Sequence, residues 1–384
     1  MTKQARSPGR VCIEASPAVQ QQAGLGRYTA GLLRGLQAVS PQGDYAVAYN
    51  RAGAEGLPPE INSLPAYRFN LGNKPWRLRN AVTYFGAPPM DGALPGVALY
   101  HSTGHLLPRL RRIRTVFTLH DLIPLLFPEY HLPLNRLFLR VMFPRFLRSA
   151  DAIIAVSEQT RRDANRLLNI APDRITVIPE APDPQFQPVG DPRALAAVRA
   201  KFSLPETFIL YLATIEPRKN HTLLLEVYRE LRKRRPGVPL VLAGAPGWLF
   251  KDFFAALADS GLHRQVILTG HVDEVDLPAL LSAATVFVCP SLHEGFGLPP
   301  LEAMACGTAV VCSNRSSLPE AVGDAGILLD PDDIRGWVTA MDQVLSNAAF
   351  RRELEAHGRA HAARFTWEAT AGATRAVYDR LLDE

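Results

Sequence analysis

The sequence predicts an α/β protein of two doubly wound domains, each a parallel sheet with helices on both faces. Three observations predict it. Short β-branched apolar runs alternate with longer stretches of helical periodicity along the chain. A length of 384 residues suits two domains of ordinary size. A segment with five prolines, Ile178–Pro192, lies between the halves and makes a stiff connector that stops helices.

Taken in order, Val11–Glu14, Tyr45–Tyr49, Leu99–His101, Thr115–Leu119 and Ala152–Val156 read as strands of the first half. Long arginine-bearing helices lie between some of them. In the second half Phe208–Leu212, Leu240–Ala243, Val266–Leu268, Val286–Cys289, Ala309–Val311 and Ile327–Leu329 read as strands. Asn220–Arg235, Leu249–Asp259, Leu277–Ala284 and Pro299–Ala305 read as the helices between them. This βαβ rhythm divides the chain into domains at 1–184 and 185–365, with a terminal helix at 366–384 expected to pack back on the first domain. Two such domains leave a cleft, and open parallel sheets bind ligands beyond the carboxyl ends of their strands.

Composition excludes several classes. With 47% hydrophobic and 21% charged residues the chain is not disordered. Its four cysteines (Cys12, Cys289, Cys306, Cys312) form no C-x-x-C pair, which argues against a disulfide scaffold, a zinc ribbon or a thiol redox motif. No apolar run approaches the roughly 18 residues that span a bilayer; Val238–Phe250 is short and broken by Gly244, Pro246 and Gly247. The polar start, MTKQARSPGR, is followed by no hydrophobic signal core. A cytoplasmic protein is expected.

Charge is uneven. Residues 1–184 carry 22 Lys and Arg against 13 Asp and Glu, and the remainder 20 against 24. Arg109, Arg111, Arg112 and Arg114 form one cluster; Arg136, Arg140, Arg145 and Arg148 form another along one apolar helix. Such a helix lies on an anionic membrane surface, receives an anionic lipid acceptor, or simply presents the solvated face of a core helix. Peripheral contact with the inner face of the membrane through this domain is therefore an expectation. Nucleic acid is not expected as a partner, because no aromatic platform or finger spacing accompanies the charge.

Four places can carry chemistry. The strongest is His293-Glu294-Gly295-Phe296-Gly297-Leu298-Pro299-Pro300-Leu301-Glu302, directly after a strand. Gly295 and Gly297 allow close backbone approach and positive φ, and the prolines suit a first helical turn. The helix start faces the loop with free N–H groups and a positive dipole end, a place for phosphate. Glu294 and Glu302 can flank one ligand; the bland alternative is a tight turn capped by a Glu. The second place is Ala213–Asn220, where Arg218 and Lys219 stand at a helix start. Cations are unfavourable there unless a polyanion arrives; otherwise they are solvated loop charges. The third is His120-Asp121 at a strand end, a proton carrier or a donor to a sugar hydroxyl, with His101 and His105 as lesser candidates. The fourth is Gly24-Leu25-Gly26-Arg27-Tyr28, a poor dinucleotide fingerprint that reads as a flexible loop leading to a helix N-terminus. Asp330-Pro-Asp332 has a metal-like spacing, but a helix cap is the better account. No metal site is expected.

The E-x7-E pair Glu294 and Glu302 within HEGFGLPPLEAMACG, together with IEPRKN (Ile215–Asn220), resembles glycosyltransferase family 4. GRYT at 26–29, HDLIPL at 120–125, VSE at 156–158, the Gly247-Trp248 pair and SSLPEAVGDAG at 316–326 fit that family in the same order. The pattern is most similar to mannosyltransferases of bacterial cell-surface polysaccharide assembly. The resemblance implies a GT-B fold: two Rossmann-like domains facing across a cleft, the first for acceptor and the second for donor. It implies retaining, metal-independent and cofactor-independent transfer of a hexose, mannose from GDP-mannose, to a saccharide or polyprenyl-linked saccharide in O-antigen, capsule or exopolysaccharide synthesis. Carried over by motif, Glu294 contacts the transferred sugar, and the backbone of Gly295, Phe296, Gly297 and Leu298 holds hydroxyls and phosphate. Glu302 binds ribose, Arg218 and Lys219 take the diphosphate, and the base lies near Val272. His120 faces the sugar beside Asp121, and the loop at Gly24 and Gly26 closes over diphosphate or acceptor. Ala213 stands where relatives often have Gly, sometimes Arg. The competing readings are a UDP-sugar enzyme of the same family, a nucleotide-binding oxidoreductase and an inactive carbohydrate-binding regulator.

Overall fold

A computed structural model describes residues 9–50, 58–130 and 133–384. The polar start at 1–8, on which the absence of a signal core was read, lies outside the described residues. Two compact units form. Unit 1 takes the chain up to Pro128, continues to Ala181 and ends with Thr366–Glu384; unit 2 spans Pro182–Phe365.

Unit 1 is a seven-stranded sheet of β1 (Arg10–Glu14), β2 (Tyr45–Asn50), β3 (Ala66–Phe69), β4 (Val97–Ser102), β5 (Arg114–Leu119), β6 (Ala152–Ala155) and β7 (Ile175–Val177), in the order β3-β2-β1-β4-β5-β6-β7. All pairs are parallel. Unit 2 is a six-stranded parallel sheet of β8 (Ile209–Leu212), β9 (Leu240–Ala243), β10 (Val266–Gly270), β11 (Val286–Cys289), β12 (Val310–Ser313) and β13 (Ile327–Leu329), ordered β10-β9-β8-β11-β12-β13. Central strands such as β2, β6, β9 and β11 are buried on both faces, which is why they read as unbroken apolar runs rather than alternating ones. The α/β, doubly wound class is thus the observed one. Two strands were not anticipated, β3 and β7. Both are edge strands of three or four residues, β3 with no fully buried side chain, so neither needs a long apolar run.

The helices used below are α1 (Ala23–Val39), α2 (Asn73–Val82), α3 (Pro133–Ser149), α4 (His221–Leu231), α5 (Leu298–Ala305) and α6 (Trp367–Asp383). The helix expected over Asn220–Arg235 ends at Leu231. In unit 1 the terminal helix α6 lies on α1. Small residues let them approach: a Cβ at Gly31 would collide with the Trp367 indole, and one at Gly35 with the Trp367 carbonyl. Thr370 Oγ1 donates to the Pro179 carbonyl at 2.8 Å, tying α6 to the proline-dense segment. Gly31→Val should lower the urea midpoint of unfolding, since overpacking costs about 1–3 kcal/mol. An unchanged midpoint would show that the two helices part without penalty.

All four cysteines are buried and free. His101 is a core residue rather than a cleft residue: fully buried, with Nδ1 bonded to Tyr378 Oη at 2.5 Å and Nε2 to Thr118 Oγ1 at 2.7 Å. Burial pulls its ring down to about 3. Asp330 pairs with Arg315 at 2.9 Å, and the following helix is capped by Asp333, which accepts from the Gly336 N–H at 2.9 Å. Among the described residues no three His, Cys, Asp or Glu side chains gather as a metal site, and no helix is long and apolar enough to cross a membrane.

Candidate active site

The sheet of unit 2 reverses its winding between β8 and β11: the chain leaves β8 for β9 and β10, then returns to β11 and goes on to β12 and β13. Loops leaving such a pair part in opposite directions and open a crevice beyond the strand ends. Both strongest motifs lie there, Thr214–Asn220 after β8 and Pro290–Gly297 after β11.

The first loop ends in a 3-10 turn, Pro217–Lys219, before α4. Asn220 takes φ +57°, a left-handed conformation that Asn visits more readily than most residues, and its amide donates to the Pro290 carbonyl at 3.3 Å. The Leu292 N–H donates to the Arg218 carbonyl at 2.9 Å. Tyr211 Oη donates to the Lys219 carbonyl at 2.8 Å and meets Ser291 Oγ at 3.0 Å. The two loops are stitched together, and the stitching brings three of the sequence-predicted side chains into contact.

Lys219 Nζ donates to Glu294 Oε1 at 2.6 Å and Arg218 Nη1 to Glu294 Oε2 at 3.0 Å. Arg218 also donates to Glu216 and to the His293 carbonyl. The side chains of Arg218, Lys219 and Glu294 are only 12–13% exposed and that of Glu216 2%. Burial pushes the Glu294 carboxyl up, but the charges of Lys219 and Arg218 outweigh it and bring it to about 2. The cations are therefore neither solvated nor unneutralised. Two cations and two carboxylates form a neutral cluster, because the tight turn folds Glu216 back beside Arg218. Glu216 lies within IEPRKN, and an acid two residues before a cation reveals its pairing only once the turn is known.

The loop after β11 is held by its backbone. Ser316 Oγ and Ser317 Oγ donate to the Glu294 carbonyl at 2.7 and 2.9 Å, and Ser317 Oγ also lies 2.8 Å from the Phe296 carbonyl. Phe296 is buried edge-on to Phe365 at 5.8 Å. Of the two loop glycines, only Gly297 takes a positive φ, +120°, and a Cβ there would lie 3.1 Å from both Ala321 and Leu318. Helix α5 starts at Leu298, one residue earlier than expected. Glu302 is not in its first turn; it is 1% exposed, one turn further in, so it is no capping acid. Val272 is buried in the loop after β10, the edge strand, away from the β8–β11 junction. Of the acidic segment after it, Asp273 and Asp276 pair with Lys201 at 3.4 and 2.5 Å.

Unit 1 has its own junction, between β1 and β4. His120, at the end of β5, is buried with Nδ1 2.9 Å from Glu180 Oε1 and Nε2 2.9 Å from the Thr103 carbonyl. Both ring nitrogens have a partner. Asp121 accepts from the Ile123 N–H at 2.9 Å and shapes the following turn. Thr103 Oγ1 donates to the Glu14 carbonyl at 2.6 Å. The Glu14 carboxyl, 5% exposed, is pushed up to about 7 by burial despite hydrogen bonds from Ser16 and Thr103. Glu14 and Glu180 were not anticipated: one ends an apolar strand, the other sits inside the proline-dense segment. The expected loop at Gly24 and Gly26 is instead the first turn of α1. Gly26 is required by a close approach, since a Cβ there would lie 3.0 Å from the Pro17 carbonyl oxygen, whereas Gly24 faces open space.

Comparison with known proteins places this geometry. The family model described as "Glycosyl transferases group 1" matches residues 197–361, and that described as "Glycosyltransferase Family 4" matches 23–186. The O-antigen chain mannosyltransferase B of Escherichia coli is 40% identical over 274 residues, covering 70% of this chain and 71% of that protein. The chain belongs to glycosyltransferase family 4. The serotype-specific mannosyltransferase WbdA of Escherichia coli is 41% identical over 278 residues, 70% of this chain; the match spans only 34% of that longer protein. Among solved structures, sucrose-phosphate synthase from Thermosynechococcus elongatus superposes with a TM-score of 0.76 at 23% identity, covering 98% of this chain and 99% of that one. That likeness shows the fold, which is GT-B.

Proposed function

We propose that this protein is a retaining hexosyltransferase that moves mannose from GDP-mannose to a saccharide or polyprenyl-linked saccharide acceptor during cell-surface polysaccharide assembly. It works in contact with the inner face of the membrane, where such an acceptor is held. One observation carries the reading: a largely sheltered pair of cations, Arg218 and Lys219, gathered with Glu294 at the winding reversal, in the loops that precede α4 and α5. The names of the relatives support mannose as the sugar.

Cleavage of a sugar–diphosphate bond places negative charge on the leaving group and positive charge on the sugar. Arg218 offers a planar fork to phosphate oxygens and Lys219 a point charge. The N–H groups at the α5 start add fixed positive potential. The diphosphate takes these cations from Glu294, whose carboxylate then faces the positively charged sugar. Such preorganised charges stabilise the transition state without reorganisation. Glu302 binds the ribose and the region of Val272 the base. Residues 1–184 take the acceptor, and within them Glu180 and Thr103 hold the His120 ring in place.

The test is a panel of nucleotides followed by thermal unfolding and slow donor hydrolysis. GDP-mannose is expected to raise Tm, as any ligand of the native state does, and to be hydrolysed slowly to GDP and mannose. Stabilisation by UDP-sugars alone would replace the base, and stabilisation by NADH alone would overturn the reading.

A further inference from the structure

We propose that unit 1 carries a membrane-docking face, formed by α2 with the 3-10 turn that extends it and by the outward side of α3, and that its partner is a bilayer rich in anionic phospholipid. This deepens the membrane contact proposed above and rests on that reading.

Apolar exposure marks the face. Eleven large apolar side chains are exposed among the described residues, and five of them lie on these two segments: Leu78 at 63%, Val82 at 37%, Phe85 at 60%, Leu134 at 85% and Leu137 at 60%. The other six are scattered over both units. The spacing of Leu78, Val82 and Phe85 puts them on one side of their helix, and Leu134 and Leu137 share a side of theirs.

Ring contacts lay the two segments alongside each other. The Arg77 guanidinium sits 3.6 Å over the Phe138 ring, and Arg145 sits 5.0 Å over Phe85. Beside the second of these contacts Tyr84 packs edge-on to Phe146 at 5.4 Å and its hydroxyl meets Ser149 Oγ at 2.9 Å. The exposed apolar residues thus belong to one surface.

Charge selects the partner. Asn73–Phe85 carries Lys74, Arg77 and Arg79, and Pro133–Ser149 carries Arg136, Arg140, Arg145 and Arg148; neither segment contains an acid. Exposed Arg109, Arg111 and Arg112 adjoin them, since the Arg109 N–H donates to Thr83 Oγ1 at 3.1 Å. Asp91 is engaged by the backbone N–H groups of Arg111 and Arg112. A second copy of the same face would bring like charge against like. Anionic headgroups beneath a ring of arginines, with Leu and Phe reaching the acyl boundary, satisfy both features at once.

The test is co-sedimentation of the full chain with vesicles of phosphatidylcholine alone and of phosphatidylcholine with phosphatidylglycerol. The wild type should bind the anionic vesicles and lose them in high salt. Arg136→Ser with Arg140→Ser should weaken binding about 25-fold, at about five-fold for each cation near the surface. Phe85→Ser with Leu134→Ser and Leu137→Ser should weaken it at least about ten-fold. Leu167→Ser, exposed on the helix Glu158–Leu168 of unit 1 and on neither of these segments, should change nothing. Each variant should hydrolyse GDP-mannose as the wild type does, which also checks that it folds. Wild-type binding that none of these substitutions reduces would overturn this face while leaving membrane contact standing. No vesicle binding by the wild type would sink both. A dimer in lipid-free buffer that the Leu134 and Leu137 changes dissociate would give the face to a second copy instead. Absent hydrolysis with intact, variant-sensitive vesicle binding would remove the transferase reading and leave the face.

Discussion

Replacing Lys219 with alanine is expected to lower turnover about a hundred-fold or more, the loss that follows removal of one preorganised transition-state charge. Lys219 Nζ lies 2.6 Å from Glu294 Oε1 and its side chain is only 13% exposed, so its charge is weakly screened. Arg218 and Lys219 are the only cationic side chains of the loop Thr214–Asn220. Removing one halves that set. The variant also leaves Glu294 with Arg218 alone, and breaking a buried pair costs more than an exposed one. Two readouts separate chemistry from folding. Turnover of GDP-mannose should collapse, while circular dichroism at room temperature stays native. Lys219→Arg, which keeps the charge, should recover part of the rate. Wild-type turnover in Lys219→Ala would remove the residue from the mechanism.

Glu294→Gln should act in three directions at once. Turnover should fall about a hundred-fold or more, because the carboxylate proposed to balance the sugar's positive charge is gone. Affinity for GDP should instead rise, by about ten-fold, because the two cations lose a competing anion inside a poorly screened site. The third effect is on pH. Because the folded carboxyl lies near 2, below its ordinary 4.5, the unfolded state binds this proton first. The pair's contribution to stability is present above about 4.5 and is lost as pH falls toward 2. The difference in Tm between wild type and Glu294→Gln should therefore shrink through that window. Calorimetric titration with GDP and unfolding at graded pH check these outcomes. Unchanged or weaker GDP binding would show that Glu294 is not a competitor for the anion.

Much of the fold was legible because the signal for it is local. A strand buried on both faces must be apolar throughout, so the central strands announced themselves while the edge strands β3 and β7 did not. The place was legible: Glu294 and the basic pair stand together at the ends of β8 and β11. Their state was not legible. Nothing in IEPRKN says that Glu216 folds back onto Arg218, or that Glu294 occupies both cations in the free protein. Gly26 looked like loop flexibility and proved to be a contact with the Pro17 carbonyl. His101 and His120 looked alike at neighbouring strand ends. One is locked into the core by Tyr378, a partner 277 residues away, and the other is held by Glu180.

By itself, the order of apolar runs, turns and charged motifs determined two parallel sheets, the loops at the β8–β11 junction that carry the charged motifs, and the family. Those properties follow from short-range rules of backbone geometry and from residue types at fixed spacing. Only the tertiary structure decided which charges neutralise one another, which histidine is core, and that α2 and α3 share one apolar and basic surface. Each of those depends on distances between residues far apart in the chain, and the energy of a charge or an apolar side chain depends on what surrounds it.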